Sequence, residues 1–114
     1  MMPPKKQEYN RPLNVDFNLH TDGDLKFRSE FIRLLIANMN ELHQAWRTAI
    51  ETNEEILFKR ASHKVKPTLV ILNDQELSTL VDTLNISMSD IKANLQFNKV
   101  CIALIQSLEA EKVR

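Results

Sequence analysis

The chain has 114 residues, 43% of them hydrophobic and 26% charged, which suits one globular domain with a single modest core and excludes a disordered chain. Lys plus Arg number 15 and Asp plus Glu number 15, so the formal charge is zero and a dedicated nucleic-acid binder is not expected. A single glycine, and three of the four prolines falling before residue 13, favour long helices over a turn-rich β fold.

Residues 1–20 are polar and proline-bearing and read as a mostly irregular arm, with Val15, Phe17 and Leu19 alternating so that they could lie on the domain surface. The opening MMPPKKQEYNRPLN has positive charges but no apolar segment behind them, so it does not read as a signal peptide. No apolar run is long enough to cross a bilayer. A cytoplasmic location without membrane contact is therefore the expectation, and the lone cysteine, Cys101, fits a reducing compartment and a buried apolar position.

Thr21-Asp22-Gly23-Asp24 is a turn and helix-start cluster. From Leu25 to about Glu51 the apolar spacing is helical, with Phe31, Ile32, Leu35, Met39, Leu42, Trp46, Ala49 and Ile50 on one stripe. A flanking band of Phe27, Leu34 and Ala45 reads as a wider core contact, with an exposed apolar patch as the alternative. Glu51-Thr52-Asn53 interrupts the pattern. Asn53 reads as the cap of the next helix, with Glu54 and Glu55 suiting its positive end.

That next helix, Asn53 to Leu72, is two-sided. At about 100° per residue, Leu57, Phe58, Ala61, Val65, Thr68, Leu69 and Leu72 share one direction. His63 points the opposite way, with Ile56, Lys59, Arg60, Lys66, Pro67 and Val70 within roughly 60° of it. Asn73-Asp74-Gln75-Glu76 offers a new cap. Leu77, Leu80, Val81 and Leu84 mark a short third helix that ends at Asn85-Ile86. Ser87-Met88-Ser89-Asp90 starts a fourth, in which Ile91, Leu95, Val100, Cys101, Ile102, Leu104, Ile105 and Leu108 run to about Lys112. Four amphipathic helices with short connections predict an all-α fold, an antiparallel up-down four-helix bundle over residues 21–114.

The chemistry on offer is narrow. His20, His43 and His63 have no metal-ligand spacing with one another or with Cys101, and the bundle diiron pattern Glu-x-x-His does not occur twice. One glycine cannot build a phosphate-binding loop. Nothing points to a self-sufficient enzyme or to a cofactor of its own. His63 differs from the other two histidines in its surroundings. It sits on the face turned from the core, and histidine at pH 7 is in good part neutral and nucleophilic. Lys66, one turn on, can set an ammonium beside an incoming phosphoryl group, while Lys59 and Arg60 add positive potential on the other side. Ile56 and Val70 could rim a docked protein. Pro67 has no N–H for the His63 carbonyl and should bend the helix there. The plainer alternative is a solvated basic face that includes a histidine.

The segment Ala61-Ser62-His63-Lys64-Val65-Lys66-Pro67 resembles the phosphoacceptor motif, His-x-x-Lys, of histidine-containing phosphotransfer (HPt) domains. The helix before it and DQELSTLVDTL after it are similar to the family's flanking segments, so the likeness spans about residues 22–110. Pro67, Leu69 and Asn73 stand where the family often has glycine or another small residue. The resemblance implies a carrier in a multistep phosphorelay rather than an autokinase. His63 would be the phosphoacceptor and Lys66 would stabilise phosphoryl charge, with Ile56, Lys59, Arg60, Pro67 and Val70 at the docking face. The implied partners are response-regulator receiver domains, which supply their own Mg²⁺, and a hybrid sensor kinase, with this chain acting as a monomer. The other reading is an HPt-like helical adaptor that binds a signalling partner without phosphotransfer, by the same face or by the Phe27–Leu34 band.

Overall fold

A computed structural model describes residues 11–112. The described chain is all-helical, with six helices and no strand. They are α1 (Phe17–Thr21), α2 (Leu25–Thr52), α3 (Glu55–Lys64), α4 (Lys66–Leu72), α5 (Gln75–Ile86) and α6 (Ile91–Lys112). Aspartates start four of them. The side chains of Asp16, Asp24, Asp74 and Asp90 accept the N–H groups of Leu19, Phe27, Leu77 and Ala93, each at 3.0 Å. Asp22, Asn53 and Asn73 close α1, α2 and α4 in the left-handed conformation, which short polar side chains tolerate best after glycine.

Three expectations change here. Part of the arm is not irregular: Phe17–Thr21 is helical, because Asp16 caps it and the Thr21 hydroxyl donates to the Phe17 carbonyl at 2.6 Å. Residues 1–10 of the expected arm lie outside the described residues. Asn53 ends α2 rather than starting α3, and α3 has no side-chain cap. The expected single helix Asn53–Leu72 is two helices that meet at Val65 (φ −92°, ψ 12°). Pro67 is the cause: it has no N–H for the His63 carbonyl, and the Val65 N–H turns toward both the Ala61 and His63 carbonyls. The chain still runs on, since the Leu69 N–H reaches the Val65 carbonyl at 3.1 Å.

α2 packs most extensively on α3 and α6, α6 also packs on α5, and α3 touches α5. The core draws Ile32, Met39 and Leu42 from α2, Phe58 from α3, Leu77 and Leu84 from α5, and Phe97 and Leu104 from α6, all at 0–1% exposure. Phe58 and Phe97 meet edge to face with centroids 5.5 Å apart. Polar links fix the helices around this core. Along α2, Arg28, His43 and Trp46 bond Glu111, Asn98 and Asn94 of α6, an order that runs the two helices antiparallel. Asn38 of α2 donates to Thr68 of α4 at 2.6 Å, and Asn85 of α5 donates to Ser62 of α3 at 3.1 Å.

The segment that begins at Arg11 is strapped down as well. The Arg11 guanidinium grips Asp74 through two bonds of 2.8 and 2.9 Å and reaches Glu76 at 2.9 Å. Leu13, Val15 and Phe17 lean on the core, whereas Leu19 is 75% exposed. The Phe27–Leu34 band is not core: Phe27 and Leu34 are 50% and 56% exposed, and only Ala45 packs inward. Ile50, Ile91 and Leu95 are also exposed, while Ala49, Ala93 and Phe97 near them in the chain are buried. No described helix is long and apolar enough to cross a membrane.

Candidate functional site

α3 presents Phe58, Ala61 and Ser62 inward, which turns Lys59 and His63 outward. His63 lies in the last turn of α3, and Lys66 opens α4 just past the break. Despite the break, both side chains line one groove of about 320 Å³, together with Lys59, Ser62, Leu69 and Val70. The opposite wall belongs to α5: Ser78, Val81, Asp82 and Asn85.

Two contacts hold these walls. Ser62 is buried, its hydroxyl donates to the Lys59 carbonyl at 3.0 Å, and it accepts the Asn85 amide, so the position before His63 is pinned to α5. Below α4, Thr68 is buried and bound to Asn38, which anchors the segment carrying Lys66 to α2. Leu69 at 6% exposure floors the groove.

The sequence singled out seven positions, and they are spread over more than one surface. His63, Lys59, Lys66 and Val70 share the groove. Ile56, 48% exposed, lines an adjoining hollow with Glu55, Lys59, Leu84 and Asn85, so it extends the same face. Arg60 faces elsewhere, into a hollow between α2 and α3 that it shares with Glu41, Leu57 and Lys64. Pro67 is exposed at the start of α4 but is not part of the groove wall. The α5 wall escaped sequence reasoning. Its only signal was the polar row Ser78, Asp82, Asn85 at helical spacing beside the apolar stripe, which does not reveal which helix it faces.

Electrostatically the groove is open-handed. Among the described residues, the side chains of His63, Lys59 and Lys66 have neither a hydrogen-bond nor an ion-pair partner, whereas neighbouring Lys64 pairs with Glu41 at 2.9 Å. The other histidines have structural contacts: His43 Nε2 bonds Asn98 Oδ1 at 2.7 Å and its ring stacks on Trp46, and His20 stacks on Phe31. Among the described residues no cluster of three or more His, Cys, Asp or Glu could hold a metal ion. Cys101 is sealed in the core, where burial pushes its thiol pKa up and keeps it inert.

An accessible imidazole with no hydrogen-bond partner among the described residues is a usable nucleophile. Two unpaired ammonium groups beside it suit an electrophile that carries negative charge, such as a phosphoryl group. No family model, curated protein or solved structure matches the chain.

Proposed function

We propose that the chain is a phosphorelay carrier in two-component signal transduction. His63 takes a phosphoryl group from the aspartyl phosphate of a response-regulator receiver domain and hands it to another receiver, on a route fed by a hybrid sensor kinase. In the first step Nε2 of a neutral His63 attacks phosphorus in line. The N–P bond forms as the P–O bond to the aspartate breaks, and the aspartate leaves as a carboxylate. Lys66, with Lys59 one turn before His63 on the same wall, offsets the charge on the phosphoryl oxygens. The receiver brings its own Mg²⁺, and no cofactor of this chain takes part.

In the same reading α2, the α3–α4 pair, α5 and α6 are the four columns of an antiparallel up-down bundle of HPt type. The packing of α2 on α3 and α6, and of α6 on α5, supports this. Ile56 and Val70 supply the apolar rim on which a receiver docks, and the bundle works as a monomer. The observation that carries the proposal is the exposed His63 sharing one groove with two lysines that have no ion-pair partner among the described residues. The test is incubation with a phosphorylated receiver of the same cell. An acid-labile, base-stable label is expected on the wild type and none on His63→Gln; full labelling of that variant ends the proposal.

The exposed Phe27 and Leu34 favour one second reading, a helical adaptor without phosphotransfer. It predicts that a partner binds equally well to His63→Gln, and that no receiver labels the wild type.

A further inference from the structure

α5 brings one group to the groove that a simple phosphate cradle would not have. Ser78 and Asn85 are neutral hydrogen-bonding residues, but Asp82, on the same row, is a carboxylate. The Asn85–Ser62 bond ties this row to α3 one residue before His63, and Asp82 lies one turn before Asn85. Asp82 is exposed and has no ion-pair partner among the described residues, although Lys59 and Lys66 line the same groove. The groove thus carries two positive charges and one negative before any reaction.

We propose that Asp82 sets the phosphoryl-transfer potential of the site: its carboxylate opposes the charge of phosphorylated His63 and favours handing the group on. The inference rests on the phosphorelay reading of this groove. A phosphoryl group adds up to about two negative charges at neutral pH. The lysines attract that charge in the transition state and in the phosphorylated chain alike, which by itself would hold the group on His63. A carboxylate across the groove raises the energy of the loaded state and leaves the lysines in place for the transfer itself. An exposed charge lining the same groove shifts an equilibrium by about two- to fivefold.

The test uses the full chain. Phosphoramidate loads His63 directly: the N–P bond to His63 forms, the donor's own P–N bond breaks, and ammonia leaves. The loaded chain is then mixed with a receiver, and the final partition of phosphoryl between the two proteins is measured. Asp82→Asn is expected to move that partition about two- to fivefold toward His63, by an amount that shrinks as salt rises. Asp82→Glu should restore the wild-type partition, and both variants should keep the wild-type melting curve, since Asp82 is exposed. An unchanged partition in Asp82→Asn, or equal shifts in Asp82→Asn and Asp82→Glu, overturns the role of Asp82 and leaves the relay standing. A wild-type chain that loads from no donor and passes nothing to any receiver overturns the relay, and this inference with it.

Discussion

Replacing Asp74, which is 6% exposed, by alanine should destabilise the protein strongly. The carboxylate does two jobs. Oδ1 accepts the Leu77 N–H at 3.0 Å and so caps α5, and the two oxygens together receive the Arg11 guanidinium. Loss of the cap costs about 1 kcal/mol. Loss of two charge-assisted bonds costs about 1.5–3 kcal/mol. The guanidinium side chain is 22% exposed and recovers some water, so the terms overlap and the total is about 2–4 kcal/mol. Urea unfolding should show a midpoint lower by about 1–3 M with the slope unchanged. Arg11→Ala keeps the cap but loses the bonds to Asp74 and Glu76, and should cost about 1.5–3 kcal/mol. Burial alone would raise the Asp74 pKa, but the bonds from Arg11 and from the Leu77 N–H prevail and hold it below the usual carboxylate range. A depressed carboxylate stabilises the fold above its unfolded value of about 3.9, and that contribution is lost as pH falls through the folded value. The stability gap between wild type and Asp74→Ala should therefore be constant near neutrality and close in acid. A gap under about 0.5 kcal/mol at pH 7, or one that widens on acidification, would refute the reasoning.

Lys66→Ala should slow phosphoryl transfer about tenfold while leaving receiver affinity nearly unchanged. This is less than the effect of a buried oxyanion donor, because water screens an exposed ammonium; stopped-flow transfer rates beside a binding titration check it, and equal rates would remove Lys66 from its role. Asn85→Ala breaks the bond to buried Ser62 and should cost about 1–2 kcal/mol in denaturant unfolding. It should also slow transfer, since it releases the α5 wall from the turn that carries His63, and a variant as stable and as fast as wild type would show that this link does not shape the groove.

Periodicity was enough to find most of the helical framework, because α2, α5 and α6 each bury a stripe that local sequence spells out. It failed where a residue's fate depends on a distant partner. Phe27 and Leu34 follow helical spacing as well as Leu35 does, yet no other described helix buries them. Arg11 looked like part of an idle arm, and its partner Asp74 is 63 positions away. The proline at 67 announced the bend at its own position, but the break settled on Val65 (φ −92°, ψ 12°). At the candidate site one wall could be read from the sequence, since α3 displays it on a single face. The facing wall could not, because nothing local ties Asp82 or Asn85 to the helix it opposes.

The bend at Val65 also changes how His63 and its ammonium neighbour Lys66 are coupled. On an unbroken helix their relative placement would be a constant of the geometry. Here one pair of torsions governs it, and they belong to a side chain that is 2% exposed and wedged into the interior. Repacking beneath that residue, with no contact to His63 or Lys66, would therefore retune the angle between their side chains, and on the proposed relay that makes the hydrophobic interior an adjusting screw for the transfer.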